Sequence, residues 1–123
     1  MADKKRILVV DDDAMSLRMA EFILKKTPHD IWKAESGDAA IAILKEQPVD
    51  LLLLDVEMPG KNGIETLREI RAISGLAELP VIFLTGTGDT ERMAEAEELG
   101  AKEFAIKPLK PQELLDRIEN IWK

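Results

Sequence analysis

Five positions in this sequence carry side chains that could do chemistry together: Asp11, Asp12, Asp55, Thr85 and Lys107. Each lies at or within two residues of the end of a short apolar run. These runs are Ile7-Leu8-Val9-Val10, Leu51-Leu52-Leu53-Leu54, Val81-Ile82-Phe83-Leu84 and Phe104-Ala105-Ile106. Grouped carboxylates without Cys or His are hard oxygen ligands that suit Mg²⁺ or Mn²⁺ better than zinc. Mg²⁺ usually keeps several waters and takes one or two carboxylates plus phosphate oxygens of a substrate. A lysine could pair with phosphate or with Asp55, and a threonine hydroxyl could donate to a phosphate oxygen. Together these are the parts of a phosphoryl-transfer site whose nucleophile is a protein carboxylate.

That chemistry requires the five positions to meet in space. The four leucines, with no polar alternation, predict a strand buried on both faces in the middle of a parallel sheet. A carboxylate directly after such a strand sits outside the carboxyl ends of the strands, where open α/β sheets bind ligands. The stretch Val56 to Gly63 is dense in turn formers, so the chain leaves the sheet there through a loop.

The remaining chain supplies the other layers. Ile7 to Val10 predicts a first strand, followed by a helix whose apolar face is Met15, Met19, Phe22 and Ile23. Thr27-Pro28-His29-Asp30 breaks it, and Ile31 to Ala34 predicts a more exposed strand carrying Trp32 and Lys33. Glu35-Ser36-Gly37-Asp38 opens an alanine-rich helix that ends before Pro48. Ile64, Leu67, Ile70 and Ile73 mark a third helix that Ser74-Gly75 ends. Thr85 to Asp89 is a loop, and Thr90 to Leu99 an acidic helix with Glu91, Glu95, Glu97 and Glu98, closed by Gly100. Pro111 suits the first turn of a last helix with Leu114, Leu115, Ile118, Ile121 and Trp122 on its buried face. Five strands alternating with five helices predict a parallel sheet with right-handed crossovers and helices on both faces. Its strand C-termini share one edge, which brings the five positions together. Singly, each Asp is more often a turn or cap residue. The site reading rests on all of them falling on one edge.

Composition narrows the function classes. At 123 residues the chain predicts one domain, with no linker, repeat or attached output domain. There is no cysteine and a single histidine, His29, which disfavours zinc sites and Ser-His catalysis. A net charge of −7 is the wrong sign for gripping nucleic acid or anionic lipid. No apolar run approaches the ~20 residues that span a bilayer, and the N-terminal run Ile7 to Val10 is too short to predict a signal peptide. A cytoplasmic location is expected.

The segments Ile7-Leu8-Val9-Val10-Asp11-Asp12, Leu54-Asp55-Val56-Glu57-Met58-Pro59-Gly60, Leu84-Thr85-Gly86 and Ile106-Lys107-Pro108-Leu109 resemble the receiver domain of two-component response regulators. The resemblance covers essentially the whole chain, in order and with the family's spacing. It implies a CheY-like (flavodoxin-like) five-stranded sheet in the order 2-1-3-4-5. It further implies that Asp55 is the phospho-acceptor and that Asp11, Asp12, Asp55 and the Glu57 backbone carbonyl hold Mg²⁺, or alternatively Mn²⁺. Thr85 is then the switch hydroxyl, Lys107 contacts phosphate, and Gly86 is small to leave access. Phe104 stands where the family often has Tyr, which limits any switch there to packing. Glu57 and Thr87 occupy positions that tune dephosphorylation. The implied partners are a sensor histidine kinase or histidine phosphotransfer protein, and a downstream protein on the surface of helix four, strand five and helix five. Such a domain is no enzyme beyond promoting its own aspartyl phosphorylation and dephosphorylation.

Three other readings compete. A haloacid dehalogenase type phosphatase needs Asp-x-Asp-x-Thr after its strand, whereas this chain has Asp55-Val56-Glu57-Met58-Pro59. A flavin or nucleotide module needs a glycine-rich phosphate cradle, but the first turn is Asp11-Asp12-Asp13-Ala14. A receiver-like interaction module that is never phosphorylated would not need the intact acidic set.

Overall fold

The computed structural model describes residues 4–86, 90–101 and 103–122. The chain runs β1 (Arg6–Val10), α1 (Ala14–Leu24), β2 (Asp30–Ala34), α2 (Gly37–Glu46), β3 (Leu51–Asp55), α3 (Gly63–Arg71), β4 (Val81–Thr85), α4 (Thr90–Glu98), β5 (Glu103–Ile106) and α5 (Pro111–Ile121). All strands are parallel, in the order β2-β1-β3-β4-β5. This is the CheY-like order that the resemblance implies, with the leucine strand at the centre.

Alternation along the strands sorts their side chains into two cores. Leu52 and Leu54 face a layer built from α2 and α3 with Ala96 of α4, and Leu51 and Leu53 face α1 and α5. All four leucines of β3 are completely buried. At about 1.5–3 kcal/mol per buried leucine, this strand is firmly anchored in the sheet, so whatever sits at its end is rigidly placed. Local signals fix the helix starts. The Asp13 carboxylate accepts from the Met15 N–H, Ser36 Oγ accepts from the Ala39 N–H, and Asn62 and Glu65 form a reciprocal capping box. Gly100, at φ +87°, closes α4 in the left-handed conformation.

Two expectations need correction. The buried face of α1 is Leu17, Ala20, Ile23 and Leu24, whereas Met15 (70%), Met19 (44%) and Phe22 (61%) are exposed. Of the predicted face only Ile23 faces the core. The helix carries two apolar stripes, and periodicity alone could not tell which of them meets the sheet. Helix α3 ends at Arg71, and Ile73 lies in the turn beyond it. Ile73 still packs against the core, which is why it extended the apolar pattern. Among the described residues no helix is long and apolar enough to cross a membrane.

One glycine links this packing to the site edge. Gly63 opens α3 and donates its N–H to Val56 O at 2.9 Å. A Cβ there would lie 2.3 Å from the Asp55 carbonyl oxygen and 3.0 Å from Val56 Cα. These are backbone atoms at the end of the buried strand and cannot rotate away. Gly63→Ala is therefore expected to destabilise the fold by about 1–3 kcal/mol, read as a lower urea midpoint with little change in slope.

Candidate functional site

The parallel sheet delivers its carboxylates to one edge. Asp11 directly follows β1 and Asp55 ends β3, and the adjacent strands are in register at Val10 and Leu54. Asp11 is completely buried, Asp55 is 4% exposed, and Asp12 opens to solvent. Their carboxylate oxygens lie within 4.8 Å of one another. Lys107, just beyond β5, reaches into the group, with its Nζ 2.6 Å from Asp11 Oδ2 and 3.3 Å from Asp55 Oδ1. The Lys107 N–H donates to Thr85 O at 2.7 Å, which ties the end of β5 to the end of β4. The Lys107–Pro108 peptide bond is cis.

Charge sets the character of this cluster. Among the described residues, three carboxylates share one ammonium. Burial and the neighbouring Asp11 carboxylate push Asp55 up to about 6, against the opposing pull of Lys107 and of a hydrogen bond from the Glu57 backbone N–H. Burial works against the Lys107 ammonium, but Asp11 and Asp55 outweigh it and raise its pKa. Asp11 Oδ1 accepts from the Asp13 N–H at 3.0 Å. Asp11 Oδ2, although close to Lys107, has no aligned hydrogen-bond donor among the described residues. A buried carboxylate oxygen left this way, inside a cluster with excess negative charge and only oxygen donors, fits a hard divalent cation.

The other predicted site residues lie around this group. Thr85 is buried at the end of β4, one residue past Leu84, the partner of Asp55. Gly86 is exposed, and a Cβ there would meet nothing within 4 Å, so no contact in this conformation demands glycine. Phe104 is half-buried and stacks on Phe83 with ring centroids 6.3 Å apart. Glu57 is exposed beside Asp55, and Thr87 lies outside the described residues. Strand alternation puts Asp55 on the α1–α5 side of the sheet and Thr85 with Phe83 and Phe104 on the α3 side.

The family model for the response regulator receiver domain matches residues 7–119. The chain belongs to the response regulator receiver family. The receiver is 39% identical over 115 residues to the DNA-binding response regulator MtrA of Mycobacterium tuberculosis, covering 94% of this chain and 49% of that protein. It is 38% identical over 126 residues to the transcriptional regulatory protein AruR of Pseudomonas aeruginosa, covering 98% and 50%. The receiver thus spans about half the length of the curated relatives it matches. Among solved structures it is similar to a putative response regulator from Chloroflexus aurantiacus, with a TM-score of 0.90 and 32% identity over 97% of this chain and 98% of that one. It is also similar to the chemotaxis protein CheY4 of Vibrio cholerae, with a TM-score of 0.90 and 26% identity over 96% and 98%.

Two features of the receiver's site escaped the sequence reading. Gly63 supports the Asp55 backbone, and its signal was a glycine directly behind a helix cap. The exposed stripe of α1 begins at Met15, three residues after Asp12. Its signal was an excess of apolar residues over what one buried face needs.

The shifted Asp55 has a direct consequence for stability. Its pKa is higher folded (about 6) than unfolded (3.8), so the folded state binds the proton more tightly. The ionised group therefore costs stability above about pH 6, and the cost fades as the pH falls towards 4. Without divalent cations, Asp55→Asn is expected to raise unfolding stability at pH 8 by roughly 2–3 kcal/mol, with the gap closing between pH 6 and 4. Adding Mg²⁺ should narrow the gap at pH 8 by stabilising the unsubstituted protein. Urea titrations at three pH values check both statements.

Proposed function

We propose that this receiver accepts a phosphoryl group on Asp55 from a phosphohistidine donor and relays the signal by changing a protein-binding surface. The observation that carries this reading is the Asp55 carboxylate at the end of the fully buried strand β3, grouped with Asp11, Asp12 and Lys107. Asp11, Asp12, Asp55 and the Glu57 backbone carbonyl would hold Mg²⁺, which supplies charge neutralisation for the phosphoryl oxygens and the attacking carboxylate. With a pKa of about 6, Asp55 is largely ionised near neutral pH and competent as a nucleophile. Its oxygen forms a bond to phosphorus in line as the P–N bond of the donor breaks, and the electron pair leaves with the imidazole nitrogen.

The acyl phosphate adds negative charge and acceptor oxygens beside Lys107 and Thr85. Lys107 exchanges part of its pairing with Asp11 and Asp55 for the phosphoryl group, and the Thr85 hydroxyl donates to it. Thr85 and Phe104 share the α3 side of the sheet, so movement of Thr85 repacks Phe104 against Phe83 and alters the surface of α4, β5 and α5. Ile106, 54% exposed on that surface, and the exposed carboxylates Glu95, Glu97 and Glu98 suit a protein partner there. The donor, a sensor histidine kinase or histidine phosphotransfer protein, would approach from the α1 side. There the exposed Met15, Met19 and Phe22 offer an apolar face beside the acidic group. Glu57, exposed beside Asp55, and Thr87, by its position in the family pattern, tune the lifetime of the phosphoryl group.

Intact-mass spectrometry after incubation with acetyl phosphate, with and without Mg²⁺, tests this reading. A single labile phosphate adduct that requires Mg²⁺ and is lost in Asp55→Asn is the expected result. If no adduct forms, and the phosphoryl mimic beryllofluoride with Mg²⁺ leaves the amide spectrum unchanged, the reading is abandoned in favour of a constitutive interaction module.

A further inference from the structure

The loop after Asp55 bears on the site twice. The Glu57 N–H donates to the Asp55 carboxylate, and the Glu57 carbonyl is the backbone group assigned to the cation above. The Gly63 N–H closes this loop at its base by donating to Val56 O at 2.9 Å, so Glu57 to Asn62 project from the sheet edge. Met58 is buried in the core shared with α2 and α3, and Asn62 is fixed in its capping box with Glu65. Lys61 attaches the loop from outside. Its Nζ lies 2.7 Å from Asp38 Oδ1, in the first turn of α2, and also pairs with Glu69 of α3. Both carboxylates raise the Lys61 pKa, the hydrogen bond to Asp38 foremost, so the ammonium stays charged.

The anchors of Lys61 are themselves fixed. Gly37, beside Asp38, packs so closely on Thr66 of α3 that a Cβ there would overlap the threonine hydroxyl. Thr66 Oγ1 in turn donates to Asn62 O at 2.8 Å. Lys61 therefore ties the loop to one packed body formed by the start of α2 and by α3. Burial of Met58 sets how deep the loop sits, but apolar contact is non-directional. The two ion pairs supply direction, drawing the loop towards α2 and α3 next to the exposed Pro59 and Gly60.

We infer, on the metal-dependent phosphoryl-acceptor reading, that Lys61 is a positioning residue for the cation site. Its ion pairs with Asp38 and Glu69 set the conformation of loop 57–62 that presents the Glu57 carbonyl. Among the described residues Lys61 pairs with none of Asp11, Asp12 and Asp55, so it acts through the loop. Charge and positioning predict opposite signs for its removal. Losing a positive charge and leaving Asp38 and Glu69 uncompensated would, by Coulomb attraction alone, strengthen binding of a divalent cation. Losing the loop conformation weakens it. Partners that orient a metal ligand directly are worth about 10–100-fold in affinity, and ion pairs as exposed as these contribute less, so the expected loss is about three- to tenfold.

Amide chemical-shift titration of the whole chain with magnesium chloride tests this, with Lys61→Gln and Lys61→Arg beside the unsubstituted protein. The Mg²⁺ midpoint read at Asp12 and Asp55 should rise about three- to tenfold in Lys61→Gln. It should return close to the original value in Lys61→Arg, which keeps the charge that pairs with both carboxylates. Without Mg²⁺, amide exchange at Glu57 should accelerate about threefold or more in Lys61→Gln, while Leu52 to Leu54 of β3 stay as protected as before. That contrast separates a loosened loop from a loosened fold. A midpoint in Lys61→Gln that is unchanged or lower overturns the inference alone, as does acceleration at β3 equal to that at Glu57. If Mg²⁺ shifts nothing in the unsubstituted protein, the cation reading falls and the role of Lys61 falls with it.

Discussion

The C-terminal edge of the sheet depends on one ammonium. Lys107 lies against two buried carboxylates, Asp11 and Asp55, with a third, Asp12, beside them. Breaking a buried pair by removing one partner typically costs about 3–5 kcal/mol, because it leaves a charge uncompensated. Lys107 is therefore held in place by charge as much as by the strand that delivers it. The same imbalance dictates what the site can accept. A phosphoryl group brings further negative charge, so it can settle here only with a cation that the carboxylates hold and with Lys107 turned towards it. The excess of carboxylates that makes the resting site costly is what a bound divalent cation would offset.

Alternation along the strands divides the labour. On β1, β3 and β5 the residues facing α1 and α5 are Ile7 and Val9, Leu51 and Leu53, and Ala105. Continued past the strand ends, the same parity carries Asp11, Asp55 and Lys107. Thr85 has the opposite parity and shares the α3 side with Phe83 and Phe104. Asp11, Asp55 and Lys107 therefore belong to one face of the sheet, and Thr85, Phe83 and Phe104 belong to the other. This division follows from a period of two in the backbone and needs no specialised element.

Much of this was legible in the residues. The unbroken leucines located the central strand, the turn-forming stretch after Asp55 located the loop, and carboxylates at strand ends located the edge. These signals are local and one-dimensional, so a sequence displays them directly. The choice of face on α1 was not legible. Met15, Met19 and Phe22 repeat with helical spacing just as Leu17, Ala20 and Leu24 do, and only the neighbouring sheet and α5 decide between the stripes. The contacts of Lys61 were equally hidden, since a side chain pairing with carboxylates on two other elements leaves no spacing pattern. Gly63 lay between these cases. Its position behind Asn62 was visible, but the approach of the Asp55 carbonyl that requires it was not.

Burial also decides which element a switch can move. Helix α1 buries Leu17, Ala20, Ile23 and Leu24, and α3 buries Gly63, Ile64, Thr66, Leu67 and Ile70. With leucine and isoleucine contributing about 1.5–3 kcal/mol each, displacing either helix would cost far more than the ~1–3 kcal/mol of a typical coupling free energy. The described side chains of α4 contribute one fully buried alanine. On burial alone, α1 and α3 are therefore the helices that a perturbation of ordinary size leaves in place.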